Sequence, residues 1–448
     1  MIQNQENQRD FLDLVLVGVG ILSAICLMML LLFRPIMEMR YIRSGDYYIK
    51  EGKIQEAENE LKKALKINSE SAEAHANLGI TYYKQGKLSE SISELEKSIK
   101  LNSESYVARY NLGKAYFDQG KTGESINQFE SSLKINPDNV NLHYDLGKAY
   151  YFQGRLNGSA LHFRESIRLN PKHSDSYNSL GMVYFDRGQI DEAIDFYKKA
   201  IKFNVNNIDA HYNLGLAYSN SDKPIEAINE FKEVIKTDYN NSKAHYNLGN
   251  IYFKINKTEE AIIEYKEFLA LDYNNALVHY KLGNSYYNEG KAKEAIDEYK
   301  LTIKIDPSYE EVISDNLKKT EKLLAVKTNM STFQAVVETY ANNSEGHYPT
   351  NLTALFRNAN RNKYWNKIVN PFTSRVSIEA ICLDFKDYKG LKEKEALKGI
   401  VLYEPAGEPI RDRNKSYFPS YKIYGTDENG ELIRDGARVY TITNNESG

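Results

Sequence analysis

Five histidines, His75, His143, His211, His245 and His279, each lie four residues before a glycine in a pattern that recurs along the chain. Imidazole nitrogens bind divalent metals, but ligands must converge within about 2 Å of a single ion. Separations in multiples of 34 residues put these five on separate units instead. Their expected role is packing between helices, and no metal is expected. A second set shares the same register. Tyr110, Tyr144, Tyr212, Tyr246 and Tyr280 stand three residues before the glycine, and Asn77, Asn111, Asn213 and Asn247 stand two before it. An asparagine ladder hydrogen-bonds an extended peptide backbone, and tyrosine rings stack on its side chains. Asp145, Ser179 and Lys281 interrupt the ladder. The nine residues are the expected peptide-binding set. The plainer reading is that both types are simply ordinary at these positions.

Asp427, Glu428 and Asn429 form an acidic turn. Calcium takes at least about six oxygen ligands, and three side chains fall short of that. An ordinary turn at Asn429-Gly430 is expected. The chain has no phosphate loop, no His-Glu-x-x-His, no Gly-x-Ser-x-Gly and no paired-cysteine motif. Neither a cofactor nor a catalytic residue is expected.

The elements that position these side chains follow from one spacing. Gly45, Gly79, Gly113, Gly147, Gly181, Gly215, Gly249 and Gly283 are 34 residues apart. A tyrosine follows each by three residues, from Tyr48 to Tyr286. A small residue follows each by twelve: Ala57, Ser91, Ser125, Ser159, Ala193, Ala227, Ala261 and Ala295. Within a unit, apolar residues recur at three- and four-residue intervals on either side of a short break, which describes two helices. Gly52, Gly86, Gly120, Gly154, Gly188 and Gly290 stand where a helix end needs positive φ, and Asp222 and Asn256 replace them in two units. Pro137, Pro171 and Pro307 stop the second helix in three units. One hairpin cannot bury its apolar faces alone, so the units must stack.

These residues resemble the tetratricopeptide repeat family: Leu-Gly, the tyrosine, the small residue, then Leu61, Leu95, Phe129, Phe163, Tyr197, Phe231, Tyr265 and Tyr299. The resemblance covers eight repeats over 38–309 and implies an α-solenoid whose groove binds peptides or proteins. A similar asparagine ladder marks the repeat region of the O-linked N-acetylglucosamine transferases. The fold class is therefore mostly α: eight helical hairpins, one transmembrane helix and a small C-terminal α+β domain.

Composition sets the outer limits. At 448 residues the chain holds more than one folding unit, and 58 basic against 61 acidic residues leave no basic face for nucleic acid. Cys26 and Cys382 cannot build a disulfide framework. Residues 1–13 are a polar tail. From 14 to 33 the chain carries no charge for 20 residues, about 30 Å of helix, the thickness of a bilayer core. The acidic leader and the length of the run favour an uncleaved transmembrane helix over a signal peptide. Arg34, Arg40 and Arg43 after the run, against Arg9 before it, point the soluble part towards the cytoplasm.

After the repeats, 310–325 is expected to cap the array. A new stripe follows: Val326, Met330, Phe333, Val337 and Tyr340 lie on one helix face that needs a partner. From Gly346 the texture changes to a short helix after Thr350, then Trp365, then three strand-like runs, "GIVLYEP", "SYKIYGT" and "RVYTIT". The segment 326–443 is expected to be a helix on a small antiparallel sheet, with Trp365 in its core. Its stretches "TNMSTFQAVVETYANNSEGHYPTNLTAL", "YWNKIVNPFT", "GIVLYEP" and "YKIYGTDENGELIRDG" resemble the head of type IV pilin-like proteins, including type II secretion pseudopilins. That resemblance implies a head outside the cytoplasm, here carried on a repeat stalk. The expectation is a single-pass protein of a bacterial cytoplasmic membrane with its soluble part on the extracytoplasmic side.

The functional expectation is a non-enzymatic scaffold anchored through 14–33. It would hold a protein or peptide partner and be linked to a secretion or pilus-type assembly. Its oligomeric state is open. Two alternatives stand beside it: a glycosyltransferase-like enzyme whose repeats recruit substrate, and a structural spacer.

Overall fold

The computed structural model describes residues 33–344 without a break. It also describes Val19, 348–349, 352–362, 382–384, 401–406, 410–412, 415–417, 420–426, 432–435, 438–439 and 441–443. The tail 1–13, Cys26, the run 14–33 apart from Val19 and Phe33, Thr350, Trp365 and the turn Asp427-Glu428-Asn429 lie outside the described residues. Among the described residues no helix is long and apolar enough to cross a membrane. The chain divides into two compact units, Met1–Ser221 and Asp222–Gly448.

The first unit is a run of helical hairpins. Its helices are α1 (residues 33–50), α2 (Ile54–Ile67), α3 (Ala72–Lys84), α4 (Leu88–Leu101), α5 (Tyr106–Asp118) and α6 (Thr122–Ile135). They continue with α7 (Val140–Phe152), α8 (Leu156–Leu169), α9 (Ser174–Asp186), α10 (Ile190–Phe203) and α11 (Ile208–Asn220). Short polar residues open the first helix of most hairpins, and His173 does so for α9. Ser71, Ser105, Asn139 and Asn207 accept from the amide three residues on, which satisfies one of the donors a helix start leaves unpaired. The break inside each hairpin is a left-handed residue. Gly86 has φ +74°, while Asn256, which stands in for glycine in the second unit, has φ +58°.

The close approach within a hairpin comes from the repeat glycine. A Cβ on Gly113 would stand 2.5 Å from Cδ1 and Cε1 of Phe129, and one on Gly79 would stand 2.6 Å from Leu95 Cγ. The small residue twelve positions on sits in the same contact layer and is fully buried at Ala57, Ser91, Ser125, Ser159 and Ala193. Large side chains then fill the space between hairpins. Phe129 packs with Leu142, Leu146 and Ala149 of the next first helix, and Phe163 packs with Leu180 and Val183.

The second unit opens with α12 (Pro224–Thr237), α13 (Ser242–Lys254), α14 (Thr258–Leu271), α15 (Ala276–Asn288) and α16 (Ala292–Ile305). A 3-10 turn at Pro307–Tyr309 leads into α17 (Glu310–Asn342), a single helix of 33 residues. Its beginning seals the last hairpin: Ile313 is buried with Ala295 and Tyr299. Its later turns carry the predicted stripe. Val326, Met330, Phe333 and Val337 are fully buried, and Tyr340 lies at their edge. Their partners are Leu352, Leu355 and Ala359 of α18 (Leu352–Asn362), with Val401, Ile423 and Ile433.

The strands are β1 (Cys382–Asp384), β2 (Val401–Ala406), β3 (Ile410–Asp412), β4 (Lys415–Tyr417), β5 (Ser420–Gly425), β6 (Arg434–Asp435), β7 (Arg438–Val439) and β8 (Thr441–Thr443). The main sheet runs β1-β2-β5-β8. The expected antiparallel pairing holds for β2 with β5 and for β5 with β8. The sheet as a whole is mixed, because β1 lies parallel to β2 with Cys382 opposite Val401. A three-residue strand is too short to show a period of two, so it left no mark in the sequence pattern. The run "RVYTIT" also divides: Arg438 and Val439 pair with β6, and only Thr441–Thr443 joins the main sheet. Gly425 lets β5 come down onto α17, since a Cβ there would meet Met330 Sδ at 2.7 Å and Val326 Cγ1 at 2.8 Å.

Candidate functional site

Four of the five histidines tie the two helices of their hairpins together. His75 Nε2 meets the carbonyl of Ser69 at 3.0 Å, ahead of its own helix, and Nδ1 meets Glu94 of the second helix at 2.5 Å. His245 repeats this with Tyr239 O at 2.9 Å and Glu264 at 2.7 Å, and His279 with Tyr273 O at 2.8 Å and Glu298 at 2.6 Å. Both partners on each ring are acceptors, so a protonated imidazole satisfies both at once. Burial opposes the charge on His245 and His279, yet the carboxylate and the carbonyl outweigh it and raise both above the ordinary histidine value.

One hairpin departs. His143 Nε2 reaches Pro137 O at 2.9 Å, but its Nδ1 faces His162 Nδ1 at 3.1 Å, so one ring must donate and the other accept. Burial and the neighbouring His143 push His162 down to about 4. His211 Nε2 lies 3.0 Å from Val205 O. Among the described residues no three or more histidine, cysteine, aspartate or glutamate side chains gather as a metal site would.

The predicted peptide set sits on the first helices, in varied roles. Asn111 donates to the Val107 carbonyl of its own helix at 2.8 Å, and Asn247 donates to Lys243 O at 2.8 Å. Asn213 donates to Asn178 of the preceding first helix at 3.0 Å. Asn77 is half-buried on α3. Tyr110 donates to Asp145 of the next first helix at 2.7 Å, with its ring 5.9 Å from Phe129. Tyr144 lies 5.9 Å from Phe163 and 5.2 Å from His173. Tyr212 is half-buried on α11. In the second unit Tyr246 lies 5.9 Å from Phe268, and Tyr280 lies 6.3 Å from Tyr299 and 5.9 Å from Tyr309.

What the first unit brings together is a denser site on α3, α5 and α7. A cavity of about 80 Å³ is lined by Tyr83, Lys114, Phe117, Asp118, Phe129, Asp145 and Lys148. Lys114 Nζ lies 4.9 Å from the Tyr83 ring centre and 5.7 Å from that of Tyr110. Lys148 Nζ repeats the arrangement one helix on, 5.7 Å from Phe117 and 5.5 Å from Tyr144. Each ammonium is thus held between rings of consecutive first helices, an attraction of about 1 kcal/mol at a half-exposed site. Phenols and carboxylates link the helices in the same way: Tyr83 donates to Asp118, Tyr110 to Asp145 and Tyr151 to Asp186. Burial and then these carboxylates push the Tyr83 and Tyr151 phenols well above the ordinary tyrosine value. Burial likewise raises the Asp145 carboxyl, against the pull of the Tyr110 hydroxyl and of Lys148 and Lys114.

The arrangement suits binding. It offers ring faces, two cations and a row of carboxylates on rigid helices, with no nucleophile and base in contact. The sequence singled out Tyr110 and Tyr144 but passed over Lys114 and Lys148, one residue after the glycine, and Asp118, Phe152 and Asp186, five after it. Aligning the units shows the signal: other units place Ile80, Met182 and Leu216 where the two lysines stand.

Models of the tetratricopeptide repeat match along the array. One described as TPR repeat covers 45–86, 81–120, 113–154, 181–221 and 249–290. Others, described as Tetratricopeptide repeat, cover 162–195, 276–309, and 140–173 with 208–241. No curated protein matches. Among solved structures the chain is similar to YrrB, titled a TPR protein with an unusual peptide-binding site, at 22% identity over 41% of this chain and 95% of that one, TM-score 0.36. It is similar to MamA at 26% identity over 37% of this chain and 97% of that one, TM-score 0.35. It is similar to a tetratricopeptide repeat protein from Parabacteroides merdae at 19% identity over 56% of this chain and 98% of that one, TM-score 0.44. The matched segments run from 45 to 309 with only 242–248 unmatched, more than half of the 448 residues, and the chain belongs to the tetratricopeptide repeat family.

Proposed function

We propose that this chain is a non-enzymatic adaptor whose first-helix face on α3 to α9 holds an extended peptide segment of another protein. The observation that carries the reading is the pair of lysines suspended between aromatic rings. Lys114 and Lys148 form no ion pair among the described residues, so their N–H donors face the cavity ready for backbone carbonyls. Tyr110 and Tyr144 supply the stacking surface beside them, and the helices hold these groups in place before any partner arrives.

The adaptor is tethered by 14–33 to a bacterial cytoplasmic membrane. The uncharged run supports this, as do Phe33, Ile36 and Met39, which stay exposed where α1 begins. The helix-on-sheet domain built on the later part of α17 supports a pilin-like head, and with it a soluble part outside the cytoplasm linked to a secretion or pilus-type assembly. A photo-crosslinking residue placed at Tyr144 in the full-length protein tests the binding reading. It is expected to capture partner chains in cells, whereas one placed on the exposed Glu90 of α4 is not. Equal capture from both positions refutes it. Accessibility of an epitope at the C-terminus to protease in intact cells tests the topology, and protection there refutes an extracytoplasmic head.

A further inference from the structure

The residues five places after the repeat glycine on three successive first helices are Asp118 on α5, Phe152 on α7 and Asp186 on α9. They form a carboxylate, a ring and a carboxylate in one register row. Phe152 is 71% exposed, the most exposed large apolar side chain described, although its ring meets Phe117 edge-on at 5.2 Å. Asp118 and Asp186 each accept one phenol hydrogen bond, from Tyr83 and Tyr151, and form no ion pair among the described residues. Lys114 and Lys148 line the same small cavity as Asp118. They lie over rings a turn away and act on Asp145.

Neighbouring packed helices are about 10 Å apart, and a peptide in the extended polyproline II conformation advances about 3.1 Å per residue with three residues per turn, so every third side chain returns to one face. One helix step therefore equals about three residues of peptide. We infer that the row Asp118–Phe152–Asp186 selects an extended peptide with a basic residue, an apolar residue three later and a second basic residue three after that. The two cations meet the free oxygens of Asp118 and Asp186, and the middle side chain packs on Phe152. This inference rests on the peptide-holding reading above and names the chemistry of its ligand.

The test uses full-length protein in detergent and fluorescence anisotropy with synthetic seven-residue peptides. The probe has arginine at both ends, leucine in the middle and serine elsewhere. A second peptide has the same composition with the arginines adjacent. A third replaces both arginines with glutamate. The spaced peptide is expected to bind tightest. D118N and D186N are each expected to weaken it about threefold, as exposed charge pairs do. F152A is expected to weaken it about fivefold, with F152W restoring it. The pair E90Q with E124Q, which changes the same charge on second helices, is expected to leave it unchanged. If the adjacent-arginine peptide binds as well, or the control pair weakens binding equally, attraction is diffuse and the row is not a subsite. If the glutamate peptide binds tighter, Lys114 and Lys148 define the ligand and this inference falls while peptide holding stands. If no peptide binds and crosslinking from Tyr144 captures nothing, both fall.

Discussion

Ser91, Ser125 and Ser159 stand twelve residues after the repeat glycine, and none of their hydroxyls has a hydrogen-bond partner among the described residues. All three are fully buried. The same position is alanine, also fully buried, at Ala57, Ala193, Ala227, Ala261 and Ala295. A buried hydroxyl without a partner costs about 1–3 kcal/mol in lost hydration. Alanine also forms helix better than serine, by roughly 0.5 kcal/mol. Against this, deleting an oxygen leaves a small void, and its lining loses contacts. The net expectation for each Ser→Ala change is about 1 kcal/mol of stabilisation, taken near the lower end of the hydration term. The three sites lie in separate hairpins, so the effects should nearly add, to about 3 kcal/mol in the triple variant.

Urea unfolding followed by helical circular dichroism gives the midpoint shift, and hydrogen exchange in α4, α6 and α8 gives the local effect. Exchange is the sharper measure, because a repeat array need not unfold in one step. Slower exchange confined to the hairpin carrying each substitution is the expected result. A loss of stability in all three single variants would refute the reasoning, since it would mean that the hydroxyls are satisfied and contribute to the hairpin.

Acidity should act on the two kinds of histidine in opposite directions. For His245 and His279 the folded pKa lies above 6.5, so their stabilisation is complete below about pH 6.5 and is lost as pH rises through the raised value. The double variant H245Q with H279Q should flatten that alkaline slope in a stability–pH profile of the second unit. His162, lowered to about 4 from 6.5, stabilises above pH 6.5 and loses its contribution as pH falls towards 4, so H162Q should remove that acid slope. Gly113→Ala should lower stability by about 1 kcal/mol despite better helix propensity, seen as a lower urea midpoint, because a Cβ 2.5 Å from a buried ring must displace it. Asn256→Gly should raise stability by about 0.5 kcal/mol, since φ +58° is strained for any residue with a Cβ; an unchanged midpoint would mean the asparagine side chain compensates.

The architecture of a hairpin was legible because its determinants are local and recur. Gly113 and Phe129 are 16 residues apart in every unit, and Gly86 marks the same left-handed turn that Asn256 and Asp222 adopt. The stripe from Val326 to Val337 was legible for a different reason: four residues at helical spacing announce a buried face even without a visible partner. The parallel strand Cys382–Asp384 was not legible, because three residues carry no periodic signal and its pairing depends on chain far from it. The histidines were placed on the right elements, but their partners were missed. Glu94, Glu264 and Glu298 follow their histidines by 19 residues, a distance at which no sequence period speaks.

The proposed binding face was hardest to read, and repeat physics gives the reason. Positions that set hairpin geometry must agree from unit to unit, so the eye is drawn to what recurs, such as the asparagines two before the glycine. Yet Asn111 and Asn247 donate to their own helices, so these recurring amides also serve the scaffold. Ligand chemistry belongs at positions free to differ, because a partner has a different side chain at each step along the array. Lys114, Lys148, Asp118, Phe152 and Asp186 all stand at such positions, and they converge on one stretch of α3 to α9 and not evenly along the chain. If this separation is physical, exchanging Asp118 and Phe152 between their two helices should leave the unfolding free energy within about 0.5 kcal/mol of its original value, as exposed sites allow. It should shift which spacing of basic and apolar residues a peptide needs. A large loss of stability on that exchange would show that the face is part of the packing, and the division between scaffold and recognition positions would not hold.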